Sequence, residues 1–139
     1  MTKAKVLFLC TGNSCRSQMA EGFLRHLAGE RFEVFSAGVH PKGLNLDAVD
    51  SMKEVGIDIS GQWSKNVAEF LGQRMSYVIT VCDKAKESWP IFPGAFRTLH
   101  WNIDDPAVAE GSEEERMEVF RRVRGEIERA IHEFISQAS

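Results

Sequence analysis

Residues 6–17, VLFLCTGNSCRS, constrain this chain more than any other stretch. The apolar run 6–9 ends in Cys10, Arg16 follows after five residues, and Met19, Ala20, Phe23, Leu24 and Leu27 then recur at helical spacing. That order predicts a buried strand, a tight loop and a helix. A loop at a helix N-terminus directs backbone N–H groups and the positive end of the helix dipole at one point, which suits a tetrahedral oxyanion. Thr11, Gly12, Asn13, Ser14, Cys15 and Arg16 are the candidate oxyanion-binding residues, with Arg16 adding a planar, permanently charged fork. Cys10 then lies at the floor of an electropositive cup that stabilises its thiolate, the nucleophilic form. A cysteine ending a strand is also often a small buried apolar residue. The strand before it and the helix after it favour the catalytic reading. Ser17 has two readings that one position can combine: a helix N-cap, or a hydroxyl hydrogen-bonded to the Cys10 thiolate. Asn13 either braces the loop or tolerates left-handed backbone angles.

At 139 residues the chain is expected to form one domain, 1–139, with a hydrophobic core of its own. A net charge of −3 gives no bulk attraction to nucleic acid or membrane, so any anion must be attracted locally. Three cysteines, an odd number without a C-x-x-C pair, argue against a disulfide framework or a zinc site and fit a reducing cytoplasm. The first apolar run is too short for a signal peptide or membrane span.

Further along, residues 32–38 alternate as a second strand ended by Gly38 and Pro41. The stretch 44–55 predicts a helix with apolar positions 48, 49, 52 and 55, closed by Gly56, and 64–71 a short helix. The β-branched run 77–82 predicts a central strand that, like the first, ends in a cysteine. Pro90 and Pro93 with Gly94 mark a loop, and 97–101 an edge strand. From Ser112 one long amphipathic helix buries Met117, Phe120, Val123, Ile127, Ile131 and Phe134, and Glu113, Glu114 and Glu115 complement its dipole. Strands alternating with helices predict a three-layer α/β/α domain around a parallel sheet of about four strands. Ligands bind such sheets at the carboxyl ends of the strands, where Cys10 and Cys82 both lie.

A general acid is wanted to protonate the departing oxygen, and the Asp104, Asp105, Pro106 run supplies carboxylates, although such a run also simply starts turns. The oxyanion decides the reaction. A phosphocysteine is released by water, whereas arsenic(V) accepts two electrons, so a second thiol attacking the sulfur of a Cys10–arsenate adduct expels arsenite and leaves a disulfide. Cys82 is placed to be that thiol, and a phosphatase has no need of it.

The stretch 8–22, FLCTGNSCRSQMAEG, resembles the signature of the arsenate reductases built on the low-molecular-weight tyrosine phosphatase fold. Further matches in order are SAG at 36–38, MKEVGIDIS at 52–60, TVCD at 80–83, HW at 100–101, DDPA at 104–107 and RVRGEI at 122–127. The resemblance implies that Cys10 is the nucleophile, Arg16 and the loop amides hold arsenate, Ser17 stabilises the thiolate, Asp105 assists protonation and Cys82 is the second redox thiol. It implies no bound cofactor and an external thiol reductant, either thioredoxin or glutathione with a glutaredoxin-like partner. Phosphate and sulfate become competing oxyanions.

Two positions depart from the family pattern. Thioredoxin-coupled members carry a third redox cysteine directly before a proline, where this chain has Trp89 before Pro90. Some members bind potassium through residues matching Asn13, Glu21, Ser36 and an aspartate, and Lys65 stands in that last place. An ammonium there predicts no strong potassium dependence. Cys15 is either a partner for Cys10 under oxidation or a buried loop residue without a redox role. The rival activity is a phosphomonoesterase using Cys10 and Asp105; against it stand Ala107 and Val108 after the acid-proline pair, where phosphatase relatives place aromatics, and Gln18, where they commonly have proline. A non-catalytic oxyanion sensor would need the loop and Arg16 but not a reactive Cys10.

Overall fold

The computed structural model describes residues 3–82 and 95–138. Four strands, β1 (Ala4–Cys10), β2 (Phe32–Gly38), β3 (Tyr77–Cys82) and β4 (Arg97–Asn102), form one sheet in the order β2-β1-β3-β4, and all three pairings are parallel. The two inner strands are the continuous apolar runs, because a strand covered on both faces has no solvent side for polar residues. Every residue of β3 is buried, whereas β2 and β4 alternate or stand partly exposed at the edges.

Three helices complete the frame: α1 (Arg16–Ala28), α2 (Leu46–Lys53) and α3 (Glu113–Gln137). Met19, Ala20, Phe23 and Leu24 of α1, with Ala48 and Met52 of α2 and the whole expected stripe of α3, share one core with Val6, Phe8, Ile79 and Val81. Leu27, expected in the stripe of α1, is instead 41% exposed at the turn where the helix rotates away from the sheet. The second helix is shorter than its 44–55 pattern: Asn45 caps it by accepting from the Ala48 N–H, and Val55 lies past its end. Ser112 and Glu115 form a reciprocal capping box, so the acidic start of α3 serves the helix end.

On the other sheet face Leu7, Leu9 and Val78 pack against Val67, Phe70 and Met75. The short helix expected over 64–71 is a single 3₁₀ turn, Val67–Phe70, capped by Asn66. Proline and glycine positions 90, 93 and 94, and Trp89, lie outside the described residues.

Candidate active site

Strand order places the functional residues. The chain leaves β1 towards β2 and returns on the other side as β3, so the connections diverge between β1 and β3 and open a crevice at their carboxyl ends. Cys10 ends the first strand, Cys82 ends the second, and α1 starts six residues after Cys10.

The loop between β1 and α1 is held from outside. Thr11 O accepts from the His40 N–H, Gly12 O from the Lys42 N–H and Ser64 Oγ, Asn13 O from Gln18 Nε2, Ser14 O from the Asn45 N–H and Cys15 O from the Met19 N–H, at 2.8–3.1 Å. In a trans peptide the C=O and the following N–H point in opposite directions. With five successive carbonyls turned outward, the N–H groups of residues 12–16 face the concave side, a nest for an anion. Gly38 at the end of β2 makes this approach possible, since a Cβ there would meet Thr11 O at 2.6 Å.

Cys10 Sγ lies 2.8 Å from Ser17 Oγ, and both side chains are buried. Ser17 Oγ also accepts from Asn13 Nδ2 at 2.8 Å, so the serine's own proton is left for the sulfur. The capping alternative for Ser17 is not what the structure uses: Cys15 occupies the N-cap position of α1 without a side-chain cap. Asn13 serves both of its readings at once, with a left-handed φ of 46° and a side chain that braces the loop.

Arg16 is buried, donates to Ile103 O at 2.8 Å and has Nη2 3.7 Å from Asp105 Oδ2. Asp105 accepts from the Ala107 N–H at the start of the 3₁₀ turn Pro106–Val108, which fixes its carboxylate at the rim beside Arg16. Asp104 points elsewhere, to Arg122. Cys15 is the contrasting thiol: burial pushes its pKa up to about 12, a rise that the Ser14 hydroxyl and Arg16 only partly oppose. It stays protonated near neutrality, which suits the reading without a redox role.

Cys82 is buried at the end of β3, but not on the face of Cys10. Side chains alternate along a strand. Phe8 and Ile79 are paired and face the α1 core, which places Cys10 on that face, while Val78 faces the opposite core with Leu9 and places Cys82 there. The two thiols thus flank one crevice from opposite sides of the sheet.

Low molecular weight phosphotyrosine protein phosphatase is the family whose sequence profile this chain matches, over residues 5–139. The chain belongs to that family. Within it, an arsenate reductase of Shouchella clausii (strain KSM-K16) is 50% identical over 134 residues, 96% of each chain. A solved arsenate reductase in the phosphate binding state superposes with a TM-score of 0.85 at 35% identity, covering 98% of this chain and 99% of that one. The Corynebacterium glutamicum thioredoxin-dependent arsenate reductase gives a TM-score of 0.73 at 28% identity, covering 99% of this chain and 64% of that one. The parallel α/β sheet expected from the sequence is thus the sheet of this family.

Sequence reasoning named the loop but missed its supports. Gln62 and Ser64 contact the loop or its helix from a segment far away in sequence, and only the predicted position of Lys65 hinted at that approach.

Proposed function

We propose that this chain is an arsenate reductase that passes two electrons from thiols to arsenic. The observation that carries the reading is a buried Cys10 hydrogen-bonded to Ser17 beneath an inward-facing ring of loop amides, in a chain half identical to an arsenate reductase along nearly its whole length. Arsenate occupies the nest with Arg16 neutralising its charge. The Cys10 thiolate attacks arsenic, a sulfur–arsenic bond forms, and one oxygen leaves as water after taking protons, the last of them from Asp105. Cys82, as thiolate, then attacks the Cys10 sulfur. The electron pair of the sulfur–arsenic bond goes to arsenic, arsenite departs, and a disulfide joins Cys10 to Cys82.

An external dithiol or thiol pair returns both electrons. Likeness to a thioredoxin-dependent reductase supports a thioredoxin-type donor, and Trp89 in place of a third cysteine keeps a glutathione and glutaredoxin couple in the comparison. Purified protein with arsenate, assayed for arsenite with each donor system supplied separately, tests the proposal. Arsenite is expected with at least one donor. Hydrolysis of p-nitrophenyl phosphate with no arsenite from either donor would instead assign the loop to phosphatase chemistry, which the shared family makes the second reading.

Lys65 shapes the ion dependence. Its Nζ lies 4.0 Å from Glu21 Oε1, and Glu21 in turn accepts from Ser36, itself bonded to Asn13. Burial lowers the Lys65 pKa while Glu21 opposes that shift. An ammonium already beside the carboxylate repels a second cation, so exchanging potassium for sodium is expected to change the arsenite rate by less than about twofold. A severalfold rise confined to potassium would show that the ammonium does not hold this place.

A further inference from the structure

We infer that Gln18 is a positioning residue for Cys10, acting through Asn13 and Ser17. Its side chain is fully buried in the first turn of α1 and faces three oxygens: Asn13 O at 3.0 Å, Asn13 Oδ1 at 3.1 Å and Trp63 O at 2.9 Å. Its Oε1 accepts from Gln62 Nε2 at 2.7 Å, and that same nitrogen donates to Gln18 O at 3.0 Å.

The directions of the bonds around Asn13 are determined. Asn13 Oδ1 also accepts from the Lys65 backbone N–H at 2.8 Å, and a backbone N–H can only donate, so the Asn13 amide has one orientation. Both hydrogens on Asn13 Nδ2 are then committed, one to Ser17 Oγ and one to Ser36 Oγ. Ser17 has a single proton, and Cys10 Sγ, 2.8 Å away, accepts it when the sulfur is a thiolate. Gln18 Nε2 meets acceptors only, so an –NH₂ group must stand at this point, and its two hydrogens are shared among Trp63 O and the main-chain and side-chain oxygens of Asn13, a residue at φ 46°.

Gln18 also ties two segments together. Residues 62–65 border a cavity of about 650 Å³ lined by Gln62, Trp63 and Lys65. On the inner side the segment is held by bonds to the loop and to Gln18, and by the Gly38 N–H, which donates to Lys65 O. Without Gln18, Asn13 Oδ1 keeps only the Lys65 N–H and Asn13 O loses the amide that donates to it, so the Asn13 side chain that donates to Ser17 is held by fewer bonds.

This inference rests on the reading of Cys10 as a thiolate nucleophile, and the test separates the two. Iodoacetamide alkylation of Cys10 is followed by peptide mass spectrometry between pH 6 and pH 9.5 in the parent, Gln18→Met and Gln18→Glu, with arsenate protection as the control for the site. Gln18→Met leaves every charge near the sulfur in place: Arg16 and Asp105 beside it, the Cys15 thiol, and Glu21, Lys65 and Arg25 at the far end of the chain through Ser36. Its alkylation at pH 6 is expected to fall about tenfold, with the pH 9.5 rate within about twofold of the parent. Gln18→Glu, which presents oxygen to three oxygens, is expected to fall further. A folded Gln18→Met with the parent's pH profile overturns the inference. If that variant does not fold, Gln62→Leu decides, because it removes the bond that orients the Gln18 amide: a fall of about threefold at pH 6 supports the role and an unchanged profile overturns it. A parent protein no more reactive at pH 6 than its own urea-unfolded form overturns the reading of Cys10 itself.

Discussion

Cys10→Ser is expected to lower arsenite formation by at least about a thousandfold while the protein still binds arsenate. Two consequences of the geometry meet in this one substitution. The hydroxyl that replaces the thiol sits in the same hydrogen bond to Ser17, but it is not ionised near neutrality and is a poor nucleophile towards arsenic. The proposed anion site is made from other atoms: the N–H groups of the loop and the guanidinium of Arg16, which donates to Ile103 O. Binding and reaction therefore separate. Titration calorimetry with arsenate should give a dissociation constant within about threefold of the parent, while an arsenite assay and p-nitrophenyl phosphate hydrolysis both fall to background. Buried Cys10 is a small part of the core, so the melting midpoint is expected to move by only a few degrees, about what 1 kcal/mol produces in a domain of this size. Arsenite formation above about one per cent of the parent rate would assign the first attack to another thiol. Cys15 is the nearest alternative in sequence, and burial holds it protonated.

How far the site can be read from the chain depends on how local its causes are. The run from β1 through the loop into α1 is contiguous, and each part is set by neighbours: apolar side chains for a covered strand, Asn13 for a left-handed angle, helical spacing after Arg16. Those features were legible. Asp105 was legible as a turn residue and, through the family resemblance, as an acid, but its place beside Arg16 follows from β4 lying next to β3, a pairing between segments about twenty residues apart. Gln18 and Gln62 were not legible as a pair. Forty-four residues separate them, and apart from Lys65 nothing in either stretch announces that the 61–65 segment returns to the loop. The faces of Cys10 and Cys82 are a subtler case. Alternation within each strand is visible in the sequence, yet the relative face depends on the pairing of Phe8 with Ile79, and a shift of one residue would bring both thiols to the same side.

That parity makes Cys82→Ser the sharper experiment on mechanism. It is expected to reduce arsenite turnover at least about a hundredfold and to leave p-nitrophenyl phosphate hydrolysis within about twofold of the parent. On the proposed roles, hydrolysis of a phosphoester uses Cys10, Arg16 and Asp105 and ends with water, so it does not use the second thiol. The proposed reduction does, because there the electron pair reaches arsenic when Cys82 attacks the Cys10 sulfur. For that attack Cys82 has to leave the face it shares with Val78, which requires the last pair of the β3–β4 ladder, Cys82 with Asn102, to open. The pair is poorly defended: it is the final rung, and the next bond, from the Ile103 N–H to Cys82 O, is long at 3.2 Å. Ile103 also accepts from Arg16 at its carbonyl, so one residue is bonded both to the arginine and to the backbone of Cys82. The serine variant keeps that backbone and removes only the sulfur. Arsenate turnover at the parent rate in Cys82→Ser would mean that the external thiol attacks the Cys10 adduct directly, and Cys82 would then have no part in the electron path.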